Sequence, residues 1–412
     1  MKYGCIGEHL GHSFSREIHA RLGDYKYELC ELAPSELEKF MRDREFLAIN
    51  VTIPYKTSVI EYLDYVDPDA EAIGAVNTIV NRGGKLCGYN TDFYGMRALI
   101  DRIGTTPCCK KAVILGTGGT SRTARRVLES YGAKEIITVG RRRGENNIDY
   151  AELYEKHTDA EYLINTTPVG MFPSTEESPI DLSRFENLVG VCDAVYNPLR
   201  TTLVSAAKAK GIAAEGGLYM LVAQAVRASE IFLDRSYDEN TLKRVYDDVY
   251  SSKENIVLVG MPSSGKTTVG NILSSLTGRK FIDTDDIASR IGGASIREIF
   301  KRGGEDLFRD IETQAIREAA AEVGCIIATG GGSVLRRENV AALKKNGRIV
   351  FIDRPLRSLM PTDDRPLSSD RAAIEKLYHE RYGIYCSVSD IRIDASEEAS
   401  AVAQKILEEI EK

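Results

Sequence analysis

The residues with the clearest chemical capacity are Gly260, Ser263, Ser264, Gly265, Lys266, Thr267 and Thr268, within the stretch VLVGMPSSGKTTVG. Their spacing fits GxxxxGK(S/T) directly behind an apolar run and ahead of a helix-forming one, the arrangement that grips a nucleoside triphosphate. Backbone amides from Gly260 to Lys266 would cradle phosphates, Lys266 would reach the β and γ groups of ATP, and Thr267 would ligate magnesium. A second glycine-rich turn lies upstream, in VILGTGGTSRTA from Val113 to Ala124. Gly116 and Gly118 let a backbone approach a pyrophosphate, and the helix opening at Gly119, Thr120 and Ser121 favours negative charge at its N-terminus. The next apolar run, EIITVG, ends in Arg141, Arg142 and Arg143. An NAD-binding fold usually places an acid there for the ribose hydroxyl. Arginine suits a 2′-phosphate instead, which points to NADP(H). Two nucleotide sites of different design suggest two reactions.

The elements that must position these residues follow from the pattern. Short apolar runs alternate with helix-like segments, as in α/β folds built on parallel sheets. Strands are expected at Tyr3–Gly7, Tyr25–Leu32, Phe46–Val51, Ala112–Gly116, Glu135–Gly140, Tyr162–Asn165 and Val189–Ala194. A buried helix follows in GGLYMLVAQAVRASEIFL and an amphipathic one in DENTLKRVYDDVY. The polar SSKEN, residues 251–255, then reads as a linker. The fold class expected is α/β: an N-terminal α/β substrate lobe, a Rossmann-like NADP-binding lobe and a P-loop kinase domain with a parallel sheet. The boundaries are 1–100 (with 216–250 packing back), 101–215 and 256–412.

The chain has 412 residues, 43% hydrophobic and 28% charged, enough for two or three separate cores. A formal net charge of −7 argues against nucleic acid or an anionic membrane as the main partner. The eight cysteines are scattered singly except for Cys108–Cys109, without CxxC spacing, which suits a reducing cytoplasm. No stretch resembles a signal peptide or a bilayer span. His9, His12 and His19 cluster, but no partners complete a metal set. Oligomeric state stays open.

Polar motifs interrupt the apolar runs before residue 100: GHSFS (11–15), NVTIPYK (50–56), GAVNT (74–78) and GYNTD (88–92). Polar tips at element ends are where α/β enzymes place chemistry. With GTGGTSR, NTTPVGM (165–171), DAVYNPLRT (193–201) and GLYMLVAQA (217–225), these motifs make the first 250 residues resemble shikimate dehydrogenase, in family order. The resemblance implies NADPH-dependent reduction of 3-dehydroshikimate to shikimate. It places Ser13, Ser15, Asn77, Asp92 and Gln224 on the substrate's hydroxyls and carboxylate, with Thr52 and Tyr196 nearby and Gly217 in the cofactor set. It makes Lys56 and Asp92 the catalytic pair. A ketone receiving hydride gains alkoxide character, which needs a proton donor. Departures are Leu10 and Arg16 where the family usually has proline, and GRR where an Asn-Arg-Thr triplet is common; Arg141 keeps the charge.

The remaining residues resemble shikimate kinase through FIDTDD (281–286), LFRDIE (307–312), ATGGGSV (328–334), DRPL (364–367) and LYHERYGIY (377–385). The resemblance implies that Asp285 orients and deprotonates the attacking hydroxyl, while Asp283 helps hold magnesium. Arg309 and Arg381 would clamp the substrate carboxylate, a bidentate task that lysine performs poorly. Gly331 and Gly332 would admit the substrate ring, and Arg365, on a lid, would stabilise the transferring phosphoryl. The expected function is thus bifunctional: reduction to shikimate, then phosphorylation to shikimate 3-phosphate. The rivals are a quinate/shikimate dehydrogenase fused to the kinase, and a non-catalytic sensor. The intact set Lys56, Asp92, Lys266 and Asp285 weighs against the sensor.

Overall fold

The computed structural model describes residues 1–10, 14–361 and 370–410. The chain divides into two compact units, Met1–Tyr250 and Ser251–Lys412.

The first unit begins with β1 (Tyr3–Gly7), α1 (Ser15–Ala20), β2 (Tyr27–Glu31), α2 (Pro34–Asp43), β3 (Ala48–Val51), β4 (Tyr65–Val66), α3 (Pro68–Ile73), β5 (Thr78–Arg82) and β6 (Lys85–Tyr89). Their sheet runs β2-β1-β3-β5-β6-β4. β1 pairs in parallel with β2 and β3, whereas β5 is antiparallel to both β3 and β6. The β5–β6 hairpin turns through Gly83 and Gly84 at φ 63 and 91, values that a two-residue type I′ loop requires.

The chain then passes through α4 (Thr91–Arg102), β7 (Lys111–Leu115), α5 (Gly119–Ser130), β8 (Glu135–Val139), α6 (Tyr150–Lys156), β9 (Tyr162–Asn165), β10 (Gly190–Asp193), α7 (Thr202–Ala209) and β11 (Ala213–Glu215). These strands form an all-parallel sheet, β11-β10-β9-β7-β8. That is a doubly wound order, with its switch point between β7 and β9, where ligands of such sheets bind beyond the strand C-termini. Helix α8 (Leu218–Leu233) buries nine of its side chains and packs on α1, α4, β3 and β5.

Helix α9 spans Thr241–Lys253 and β12 spans Asn255–Val259, so the structure differs here from the expected linker at 251–255. Its backbone carbonyls are engaged. Arg279 donates to the carbonyls of Ser251 and Glu254 at 2.8 Å each, and Gly324 N–H donates to that of Lys253 at 2.8 Å. Polar composition suggested a loop, but the partners come from far along the chain.

The second unit continues with α10 (Lys266–Thr277), β13 (Phe281–Asp283), α11 (Thr284–Gly292), α12 (Ile296–Ala321, broken at Gly304), β14 (Ile326–Ala328), α13 (Arg337–Asn346), β15 (Gly347–Asp353), α14 (Arg371–Val388), β16 (Ile391–Asp394) and α15 (Ala399–Ile410). Its sheet is parallel throughout, β13-β14-β12-β15-β16. Every residue of β12 is buried. Its alternate side chains enter two separate cores, Val257 and Val259 on one face and Ile256 and Leu258 on the other. A strand covered on both faces reads as a continuous apolar run, which is why NIVLV was recognisable. No helix among the described residues is long and apolar enough to cross a membrane.

Candidate active sites

In the first unit the Lys56 ammonium donates to Asp92 Oδ2 at 2.6 Å, with side chains 29% and 18% exposed. Lys56 stands in the turn after β3, and Asp92 lies in the first turn of α4. The side chain of Asn90 caps that helix, accepting from Asp92 N–H at 3.1 Å and donating to the Ala75 carbonyl at 2.8 Å. The carboxylate is thereby aimed across the β3 end. Thr52, half-buried, lies on the same turn as Lys56.

Asn77 is buried, and its Oδ1 accepts from Thr91 N–H at 2.7 Å, Thr91 Oγ1 at 3.2 Å and Thr78 Oγ1 at 3.0 Å. Thr91 Oγ1 also meets Gln224 Oε1 of α8 at 3.3 Å. Asn77, Asp92, Lys56 and Gln224 are therefore joined through adjacent residues. Phe14, next to Ser15, packs edge-on against Tyr196 at 5.3 Å, and both rest on the apolar face of α8. Ser13 lies outside the described residues.

Two buried polar residues in this region, Thr78 and Tyr27, were not anticipated, and Asn50, a polar strand-end residue of NVTIPYK given no particular role, joins them. Tyr27 OH donates to Asn50 Oδ1 at 2.7 Å, and Asn50 Nδ2 donates to the Asn77 carbonyl at 3.2 Å and to Thr78 Oγ1 at 3.1 Å. Burial pushes the Tyr27 hydroxyl well above the usual phenol range, so it stays a donor. His19 stacks on Tyr27 at 3.9 Å, and burial pulls its imidazole down to about 3. It is a core residue, buried among aromatic rings.

At the β7 end, Gly116 adopts φ 111, and a Cβ there would stand 2.6 Å from Thr166 Oγ1, so only glycine fits. Gly118 caps α5, and the space beside Gly118 and Gly119 is open. Thr120 is half-buried and Ser121 buried in the first turn. Gly140 approaches the same turn, its Cβ position lying 3.0 Å from Thr117 Cγ2. That contact brings Arg141 alongside the glycine turn. Arg141 and Arg142 are exposed and make no ion pair among the described residues, whereas Arg143 pairs with Glu152 at 3.1 Å. Gly217 precedes α8 and leaves no room for a side chain, its Cβ position being 2.2 Å from the Ala194 carbonyl. Beside β9 and β10, Asp193 accepts from Thr201 Oγ1 at 2.7 Å, Asn165 Nδ2 at 2.9 Å and Val195 N–H at 3.0 Å. Burial nevertheless pushes its carboxyl up to about 6.

In the second unit Gly260, Ser263 and Gly265 take φ 149, 63 and 95, the curl that turns the loop's amides inward. The Ser263 hydroxyl is buried without a partner among the described residues, as fits a loop shaped around phosphate oxygens. Ser264 is buried and Thr268 exposed. The Lys266 ammonium is buried and donates to the carbonyls of Gly260 at 3.0 Å and Met261 at 2.9 Å. Thr267 Oγ1 donates to Asp283 Oδ2 at 3.0 Å, and Asp283 Oδ1 accepts from Asp285 N–H at 3.0 Å. This is the oxygen set a magnesium ion would use. A cavity of about 650 Å³ lined by Arg354 and residues 396–401 opens near this loop. Arg354 Nη1 lies 3.7 Å from the Cβ position of Gly265.

Around Gly330–Gly332 the buried charges converge. Arg309 donates to Glu312 Oε2 at 2.7 Å and to Glu305 Oε1 at 2.8 Å, and Ser333 Oγ donates to Glu312 Oε1 at 3.0 Å. Arg381 donates to the Gly331 carbonyl at 3.1 Å, and so does Tyr385 OH, whose phenol burial pushes up to about 12. Asp285 Oδ1 stands 2.8 Å from the Cβ position of Gly330. The structure thus gathers Asp285, Arg309, Arg381, Gly331 and Gly332 around one wall. Glu312 and Tyr385, quoted in the motifs but not expected as site residues, complete it. Arg365 lies outside the described residues.

Two nucleotide-shaped sites, each at the C-terminal edge of its own parallel sheet, define a chain of two enzymes: a dinucleotide-dependent oxidoreductase and a P-loop phosphotransferase. Models of the shikimate dehydrogenase substrate binding domain and of shikimate kinase match residues 5–79 and 262–411. The NADP(+)-dependent shikimate dehydrogenase of a Clostridium perfringens strain is 36% identical over 60% of this chain and 97% of its own length. The chain belongs to the shikimate dehydrogenase family and carries a shikimate kinase domain behind it, making it a bifunctional enzyme of the shikimate pathway. Among solved structures, shikimate dehydrogenase 1 from Peptoclostridium difficile has 34% identity and a TM-score of 0.55, over 60% of this chain and 98% of that one. Shikimate 5-dehydrogenase from Thermus thermophilus, solved with NADP(H) and shikimate, has 28% identity and a TM-score of 0.55, over 60% and 99%.

Proposed function

We propose that residues 1–250 reduce 3-dehydroshikimate to shikimate with NADPH, and that residues 256–412 phosphorylate the resulting hydroxyl with ATP and magnesium, giving shikimate 3-phosphate. The observation that carries this reading is the Lys56–Asp92 contact of 2.6 Å. When hydride adds to a ketone carbon, the oxygen must take a proton, and a lysine ammonium held by a carboxylate supplies it and stabilises the developing charge. NADPH supplies the hydride in the first reaction, and ATP the phosphoryl group in the second. Residues 1–100 and 216–250 form the substrate side, where Ser13, Ser15, Thr52, Asn77, Tyr196 and Gln224 hold the hydroxyls and carboxylate. Residues 101–215 hold the cofactor, with Arg141 on its 2′-phosphate.

In the second unit the loop Gly260–Thr268 takes the ATP phosphates, and Thr267 and Asp283 hold magnesium. The Arg354 cavity takes the base. Arg309 and Arg381 fix the carboxylate of shikimate against Gly331 and Gly332. Asp285 accepts the proton as the hydroxyl oxygen bonds to phosphorus and ADP leaves, and Arg365 steadies the transferring group. The test supplies 3-dehydroshikimate, NADPH and ATP–magnesium together. Lys56→Ala should abolish NADPH oxidation and leave phosphorylation of added shikimate intact, and Lys266→Ala should do the reverse. Loss of both reactions in either folded variant would refute the assignment.

A further inference from the structure

Outside both candidate sites, Cys108 and Cys109 form a pair of adjacent nucleophiles that neither reaction uses. Cys108 and Cys109 are both exposed, with Sγ atoms 3.6 Å apart. They occupy the middle of a β-turn closed by a hydrogen bond from Lys110 N–H to the Pro107 carbonyl at 3.1 Å. Cys109 has φ 59, in the left-handed region that the second central position of a type II turn needs and that glycine or asparagine usually fills. The turn is fastened on several sides. Cys109 N–H donates to the Gly132 carbonyl at 3.0 Å, Lys134 N–H donates to the Lys110 carbonyl at 2.9 Å, and Cys108 N–H donates to Thr106 Oγ1 at 3.3 Å. The two thiols are therefore held side by side by the backbone.

Two kinds of chemistry compete at such a pair. Direct oxidation would draw the sulfurs to about 2.05 Å, and disulfide-linked Cα atoms usually stand about 4.4–6.8 Å apart, beyond the ~3.8 Å between neighbours across a trans peptide. The fastened turn opposes that closure. A bridging atom keeps the sulfurs apart. Two bonds of about 2.3 Å, the length of a thiolate bond to a soft centre, at the roughly 90–100° angle of a pyramidal trivalent centre put them ~3.3–3.5 Å from each other, within a few tenths of an ångström of the distance found. Among the described residues no group of three or more His, Cys, Asp or Glu could hold a metal ion, so zinc would find two of its four ligands here. The site suits a soft centre that requires two thiols and brings its own third substituent.

We propose that the Cys108–Cys109 turn captures monosubstituted trivalent arsenicals. The hydrated arsenical carries one organic group and two hydroxyls. Two S–H bonds and two As–O bonds break, two As–S bonds form and two waters leave, with no change of oxidation state. The test treats the full chain with one equivalent of phenylarsine oxide, washes with excess monothiol and measures intact mass. One phenylarsenic per chain should survive the wash and be removed by a small dithiol, and peptide mapping should place it on the Cys108–Cys109 peptide. Cys108→Ser and Cys109→Ser should each reduce retention to none. Cys386→Ser, which removes the other exposed thiol, should retain in full. Release from the unaltered chain during the monothiol wash, or mapping to any other cysteine, would overturn the proposal.

Discussion

Gly332→Ala tests the proposal that the kinase unit holds its substrate through Arg309. At φ −101 the backbone of Gly332 accepts alanine without strain. The obstacle is the new Cβ, which would lie 2.0 Å from Arg309 Nη1 and 2.4 Å from Cζ and Nη2. Ordinary contact needs about 3.5 Å, so the guanidinium must retreat by roughly 1.5 Å. It has little room. Arg309 and Glu312 side chains are 9% and 2% exposed, and their 2.7 Å bond would be lost or redirected. A hydrogen bond between charged groups contributes about 1.5–3 kcal/mol, which corresponds to roughly tenfold to 150-fold in affinity. The KM for shikimate in the phosphorylation assay should rise within that range, while NADPH-dependent reduction stays unchanged. Stability of the second unit should fall by about 1–3 kcal/mol, less than full removal of one partner of a buried pair. Gly383→Ala is the matched control on α14, two residues from Arg381. Its Cβ meets nothing within 4 Å among the described residues, so it should stabilise by up to ~1 kcal/mol and leave KM alone. If Gly332→Ala leaves the KM for shikimate within twofold, Arg309 does not hold the substrate.

Arg141→Ala should weaken NADPH binding about tenfold or more and leave NADH binding unchanged, because one charge-assisted contact to the 2′-phosphate is removed; equal effects on both nucleotides by titration calorimetry would refute that contact. The Asp193 carboxyl, held up at about 6 by burial, keeps a proton in the folded state that the unfolded chain releases near pH 4. Its contribution is full below about pH 4 and is lost as pH rises through about 6, some 2–3 kcal/mol in all. Asp193→Asn should remove that dependence, seen as a flatter pH profile of hydrogen exchange in β9 and β10; profiles that run parallel to the unaltered protein would count against it.

The parallel strands were legible because burial on both faces demands continuous apolar runs, and KAVIL and NIVLV are such runs. The β5–β6 hairpin was not, although Gly83–Gly84 between TIVNR and KLCGY is the short-turn signal that could have found it. Lys266 could be named from motif spacing, and Lys56, Asp92 and Arg309 from the family resemblance. Asn50 could be seen as a polar residue at a strand end, but its link to Thr78 and Tyr27 could not, because a buried polar chain exists only once β1, β2, β3 and β5 lie side by side. The ordering of 251–255 was hidden for a similar reason: Arg279 and Gly324, which engage its carbonyls, lie 24 or more residues away along the chain.

Both sites share a physical arrangement that follows from the cost of leaving charge unpaired. A buried ion without a partner costs several kcal/mol, and several charged and polar groups of the two candidate sites rest on a partner. Lys56 rests on Asp92, Lys266 on the carbonyls of its own loop, Thr267 on Asp283, and Arg309 on Glu312. Ligand binding is then an exchange of partners. Where Lys266 turns from carbonyl oxygens to phosphate, neutral acceptors are replaced by charged ones, and the gain is the difference between the two. Arg141 and Arg142, which make no ion pair among the described residues, are the exception, and their exposure explains it: water already solvates them, so the proposed phosphate contact needs no pre-formed partner. On the proposed assignment, specificity for the nucleotide is therefore placed where desolvation is smallest. Chemistry is placed where a pre-formed partner keeps each charged group in position before the substrate arrives.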